Sequence, residues 1–129
     1  MALTSASSPS SSRPAQLALP TVTVGGATLA GQVITAQGVS GEEQWLNVRL
    51  QLTPTAAGAW RTVVFPNLPG YAAPQVSLQG DVYAPNVLAA NPYPGQMFVW
   101  GSTTMYWNTP AAYVNQTVYL NFTVRYVLL

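Results

Sequence analysis

The last stretch of the chain alternates strictly. From Thr117 to Leu128, one parity holds Val118, Leu120, Phe122, Val124, Tyr126 and Leu128. The other holds Thr117, Tyr119, Asn121, Thr123, Arg125 and Val127. A period of two, rich in β-branched and aromatic residues, predicts a strand with one buried face. Its length predicts a place inside a sheet, which makes the C-terminal segment part of the core and intolerant of truncation. Gln44 to Thr53 repeats the pattern, with Leu46, Val48, Leu50 and Leu52 facing in and Trp45, Asn47, Arg49 and Gln51 facing out. Trp60 to Phe65 predicts a shorter strand stopped by Pro66, and Gln75 to Leu78 another that could extend to Tyr83.

Two pairs of runs are separated by short turn-forming spacers. Leu17–Val24 and Ala27–Thr35 flank Gly25-Gly26, and Met97–Trp100 and Thr103–Trp107 flank Gly101-Ser102. Spacers of this kind predict hairpins with primed turns. Ten Gly and eleven Pro are spread so that no helical period survives for more than two turns. The expected fold is therefore all-β: an antiparallel β-sandwich or jelly roll of about eight strands. Residues 1–15 (MALTSASSPSSSRPA) are too rich in Ser, Ala and Pro to pack, and read as an extended arm; residues 16–129 read as a single β-sandwich domain. Two irregular segments, Pro66–Pro74 and Tyr83–Gly95, carry turn residues and tyrosines. The second is long for a hairpin loop and so a candidate for function or for packing on a partner.

Charge changes the picture most. The 129 residues include only four Arg, three acidic residues, and no Lys, His or Cys, and Val82 to Val124 contains no charged side chain at all. Acid–base and nucleophilic catalysis draw chiefly on His, Cys, Lys and tuned carboxylates. The adjacent Glu42 and Glu43 point to opposite faces of an extended chain. Asp81 follows Gly80 as a turn residue does, and nothing in the spacing joins it to them. No enzyme is expected, and no metal or cofactor site. A net charge of +1 offers no basic stripe for phosphates, so nucleic acid is not an expected partner. The uncharged run is broken by Pro and Gly well short of the twenty or so apolar residues a spanning helix needs, so no membrane partner is expected either. The first twenty residues lack the basic start and apolar run of a secretory signal. The sequons at Asn115 and Asn121 are read as accidental, the second because it lies within the best strand.

A chain so neutral has little self-repulsion to keep it in solution as single copies. It reads as a part meant to be covered by other protein. The expected assembly contacts are Leu3, Pro9, Arg13, Pro14 and Leu17 in and after the arm, with Arg49, Arg61 and Arg125 on outer strand faces. Each guanidinium offers a planar fork for carbonyls or carboxylates of a neighbour. Trp45, Trp60, Tyr71, Tyr93, Trp100 and Trp107 are expected at an aromatic interface or, alternatively, against a glycan.

A small all-β domain, a Ser/Pro arm, few charges and no catalytic side chains together resemble the small decoration (cement) and minor structural proteins of tailed bacteriophage virions. The resemblance lies in architecture and composition over the whole chain. It implies a homo-oligomer, dimer or trimer, on the capsid surface after synthesis in the host cytoplasm. Its partners would be other virion proteins, chiefly the major capsid protein, with Met1 to Leu19 laid across neighbouring subunits. The alternative is a receptor- or carbohydrate-binding module of a tail fibre or baseplate. A shell-forming jelly-roll coat protein is less well matched, since 129 residues is short for that duty.

Overall fold

The computed structural model describes residues 17–55, 60–79, 82–86, 96–100 and 103–129. The expected arm at 1–15, with Leu3, Pro9, Arg13 and Pro14, lies outside them, as do Asp81 and Tyr93. The described chain is an antiparallel β-sandwich of two four-stranded sheets. The strands are β1 (Thr23–Gly25), β2 (Ala27–Ser40), β3 (Glu43–Pro54), β4 (Arg61–Val64), β5 (Gln75–Leu78), β6 (Gln96–Trp100), β7 (Thr104–Asn108) and β8 (Val118–Val127). One sheet has the order β1-β4-β7-β6; the other, larger in residues, runs β2-β3-β8-β5. Because β3 pairs with β8 and β4 with β7, the ribbon made by these two segments rolls from one sheet into the other. That winding is of the jelly-roll kind.

The two best-patterned segments form the centre. Glu43–Leu52 of β3 lies in unbroken antiparallel register with Val118–Val127 of β8. Their inward residues Leu46, Val48, Leu50, Leu52, Val118, Leu120, Phe122, Val124 and Tyr126 are all buried. The other sheet contributes Val63, Phe65, Met105 and Trp107 to the same core. Contact across the two layers includes the edge-to-face pair Phe65–Phe122, with ring centroids 5.2 Å apart. The Tyr126 hydroxyl also donates to the Pro66 carbonyl at 2.7 Å. Burying a large apolar side chain contributes about 1.5–3 kcal/mol, so each member of this core is a substantial part of the drive to fold.

Gly25-Gly26 departs from expectation. It does not turn a hairpin: β1 pairs with β4 in one sheet and β2 with β3 in the other. Gly26, at φ 72°, carries the chain around the corner between sheets, and a Cβ there would stand 2.8 Å from Arg61 Cγ. β6 and β7, expected as a hairpin around Gly101-Ser102, pair antiparallel from Gln96↔Asn108 to Trp100↔Thr104, while Gly101 and Ser102 themselves lie outside the described residues. A further hairpin joins β2 to β3 through Gly41-Glu42, where Ser40 faces Glu43 and Gly41 supplies φ 62°. Glycine at the first central position suits such a two-residue turn.

The segment from Leu17 to Val22, expected as a strand, is instead a strap fastened by glutamines. Gln44 Oε1 accepts from Leu17 N–H at 3.0 Å, and Gln37 Nε2 donates to the Leu17 carbonyl at 3.2 Å. Gln32 accepts from Val22 N–H at 2.9 Å and donates to the carbonyls of Leu19 and Pro20. Leu17, Leu19 and Val22 pack on the core. The glutamines of β2 share the inward parity of Leu29 and Ile34 because two bulges, at Leu29/Gly31 and Ile34/Ala36, shift the register.

Candidate functional site

The outer face of the larger sheet is built from aligned rows. Cross-strand register sets Gly38, Trp45, Arg125 and Gln75 in one row across all four strands. It sets Asn47, Thr123 and Ser77 in the next, then Val33, Arg49 and Asn121. Neighbouring side chains in a row stand close enough to interact. Arg125 Nη2 donates to Gln75 Oε1 at 2.7 Å, and Arg49 Nε to Asn121 Oδ1 at 3.3 Å. Asn47 Oδ1 accepts from Thr123 Oγ1 at 3.0 Å and from Gln79 Nε2 at 3.4 Å.

Aromatic rings complete the face. The Arg49 guanidinium carbon lies 5.1 Å from the centroid of Tyr119, whose ring is tilted 31° to Tyr83 at 6.1 Å. Tyr83 is held beside β8 by reciprocal backbone bonds with Tyr119 of 2.9 and 2.7 Å. The strand expected to continue from Leu78 to Tyr83 thus ends at Leu78, and Tyr83 rejoins the β8 edge as an isolated bridge. Arg49 and Arg125 are both exposed, and four residues along a strand separate their rows, or roughly 14 Å. Each guanidinium is steadied by an amide oxygen while other N–H groups remain to be offered outward. The face can therefore receive two acceptor groups, carbonyl or carboxylate, at a fixed spacing.

Other expected contacts lie elsewhere. Arg61, expected on an outer face, is 0% exposed. Its Nε donates to the Gly26 carbonyl at 3.0 Å and its Nη1 to Asn108 Oδ1 at 2.6 Å, and its Cζ lies 5.5 Å from the Trp107 ring. Burial lowers its pKa from the ordinary arginine value by desolvation, and the side chain serves the corner between sheets. Trp107 is likewise 0% exposed and belongs to the core, so it meets no partner or sugar in this fold. Tyr71 is half-buried: its hydroxyl accepts from Gln44 Nε2 at 2.9 Å and its ring meets Tyr126 edge-on. It helps close the end of the sandwich beside Leu17, which is half-buried in the strap.

Trp45 lies on the outer face of the larger sheet, whereas Trp60 is exposed just before β4 of the other. The two do not share one platform. Trp100 ends β6, paired with Thr104. Glu42 is exposed and Glu43 half-buried at the β2–β3 turn. Among the described residues, no group of three or more His, Cys, Asp or Glu side chains stands together to hold a metal ion. The rows of amides were missed from the sequence; they become visible only once β3 and β8 are placed in register.

No protein-family model, curated protein or solved structure matched the chain.

Proposed function

We propose that the protein is a non-enzymatic structural component of a virion, a capsid decoration or cement protein that stabilises a phage head shell. The observation that carries this reading is the outer face of the larger sheet, where Arg49 and Arg125 stand within a lattice of neutral amides. Such a face suits the carbonyls and occasional carboxylates of another protein. The scarcity of charge along the chain is the second support, since a covered surface has little use for ions.

The arm adds reach. Leu17 is fixed by Gln44 and Gln37, so the sixteen residues before it start from a defined point. An extended arm gains up to roughly 3.5 Å of reach per residue from that point. An arm on one subunit and a face on the next give two weak contacts, and a repeating lattice multiplies them into avidity.

The test is to purify particles of the source phage and locate the chain by mass spectrometry and labelled antibody. The expected result is many copies on the head, with heads lacking it disrupting at a lower temperature. Recovery of the chain only in the soluble fraction, or on a fibre tip that binds glycan, overturns the proposal.

A further inference from the structure

β2 is the longest strand and stands at the edge of the larger sheet. An edge presents a row of backbone donors and acceptors that can pair with another strand. Natural edges are commonly guarded by charges, by proline or by covering chain. Ala27 to Ser40 contains neither a charged residue nor a proline. The strap from Leu17 to Val22 does not use the edge: among the described residues, no backbone–backbone hydrogen bond joins it to β2. Its ties run through the side chains of Gln32, Gln37 and Gln44.

Burial at this edge is unfinished. Val33 is 51% exposed, and Leu29 and Ile34 are only partly buried, while Leu46, Leu50 and Leu52 on the adjoining β3 are at 0–1%. We propose that β2 pairs antiparallel with β2 of a second copy about a two-fold axis, joining the two larger sheets into one. This rests on the assembly reading above and names one contact within it.

Three observations favour a second copy as the occupant. Antiparallel pairing about a two-fold at Val33 sets that residue opposite its copy and every other residue opposite a second uncharged residue of the same strand, so no like charges meet. A two-fold contact uses one patch twice and closes on itself. The bulges at Leu29/Gly31 and Ile34/Ala36 break the edge into short regular runs, with Gly31 to Ile34 in the middle, and so limit any one pairing to a few residues and oppose runaway stacking.

The test is sedimentation equilibrium of the full chain over a dilution series, with Val33→Glu as the variant. Val33 lies directly opposite Arg49, so a carboxylate there gains an opposite-charge neighbour within its own subunit. Across the two-fold it meets its copy. The expected result is a wild-type dimer whose dissociation constant rises by about tenfold or more in Val33→Glu, with circular dichroism and melting temperature preserved. Val33→Thr should leave the dimer intact. If Val33→Glu fails to fold, Val33→Cys takes its place. The sequence holds no other cysteine, so a dimer closed at this strand should crosslink through it on mild oxidation, and a dimer that does not crosslink overturns the proposal. A wild-type chain that is monomeric at every concentration, or a dimer indifferent to the Val33→Glu charge, overturns it as well. A charge-sensitive dimer that is absent from phage heads would keep this inference and sink the virion reading; particles carrying monomeric copies would do the reverse.

Discussion

The indole of Trp45 lies against Gly38, its partner across the β2–β3 ladder. A Cβ built on Gly38 would stand 2.6 Å from Trp45 Cζ2 and 2.7 Å from Nε1. The glycine is needed for closeness, since the ring occupies the space any side chain would fill. Gly38→Ala should displace the indole and cost about 1–3 kcal/mol, the usual range for overpacking. Urea unfolding followed by tryptophan emission checks this. An unchanged midpoint together with an unshifted spectrum would contradict it.

Tyr126 makes stability depend on alkali. Burial raises its pKa from 10.0 to about 12, and its hydroxyl donates to the Pro66 carbonyl. The folded state holds this proton more tightly than the unfolded chain does. The contribution is therefore fully present below pH 10 and is lost as pH rises from about 10 to about 12. The slope there should be roughly 1.4 kcal/mol per pH unit. Tyr126→Phe should cost about 1 kcal/mol at neutral pH through the lost hydrogen bond, and flatten that alkaline slope. Denaturation midpoints between pH 8 and 12 compare the two.

Arg61 is a buried cation that ties the inter-sheet corner at Gly26 to Asn108 at the end of β7. Arg61→Ala removes both bonds and the cover on Trp107, and should cost about 3 kcal/mol or more. Arg61→Lys keeps the charge but loses the planar fork, and should recover only part of that. Unfolding free energies of the three forms test the order.

Arg49 and Arg125 should behave in the opposite way to Arg61. Both are exposed, Arg125 held by one amide and Arg49 by one amide and the Tyr119 ring, so Arg125→Ala should shift unfolding by less than about 0.5 kcal/mol and Arg49→Ala by no more than about 1 kcal/mol. Under the proposed function, the double variant should bind phage heads at least several-fold more weakly. A variant that binds normally removes this face from the interface.

The legible parts of the fold were those where one rule acted alone. β3 and β8 alternate without interruption, and both register and burial followed. Arg61 shows a signal that was present but overridden: it shares parity with Val63 and Phe65, both buried, so its inward course was written in the strand period. Its charge argued for the surface, and the carbonyl of Gly26 and the amide of Asn108 reversed that. β2 was harder, because its two bulges break the alternation twice and hide Gln32 and Gln37 among inward positions. Gly25-Gly26 has the composition of a hairpin, and no local signal distinguishes a turn between paired strands from a corner between sheets. The outer-face rows of arginine and amide depended on which strands lie side by side, which is tertiary information.

The glutamine fastening of the strap has an environmental corollary. Carboxamides neither gain nor lose protons across the range where proteins survive, and ionic strength screens only charges. The three side chains that moor the start of the domain should therefore grip equally well in acid, in neutral buffer and in brine. Whatever is attached ahead of Leu17 would keep its anchorage under conditions that loosen a molecule held by ion pairs.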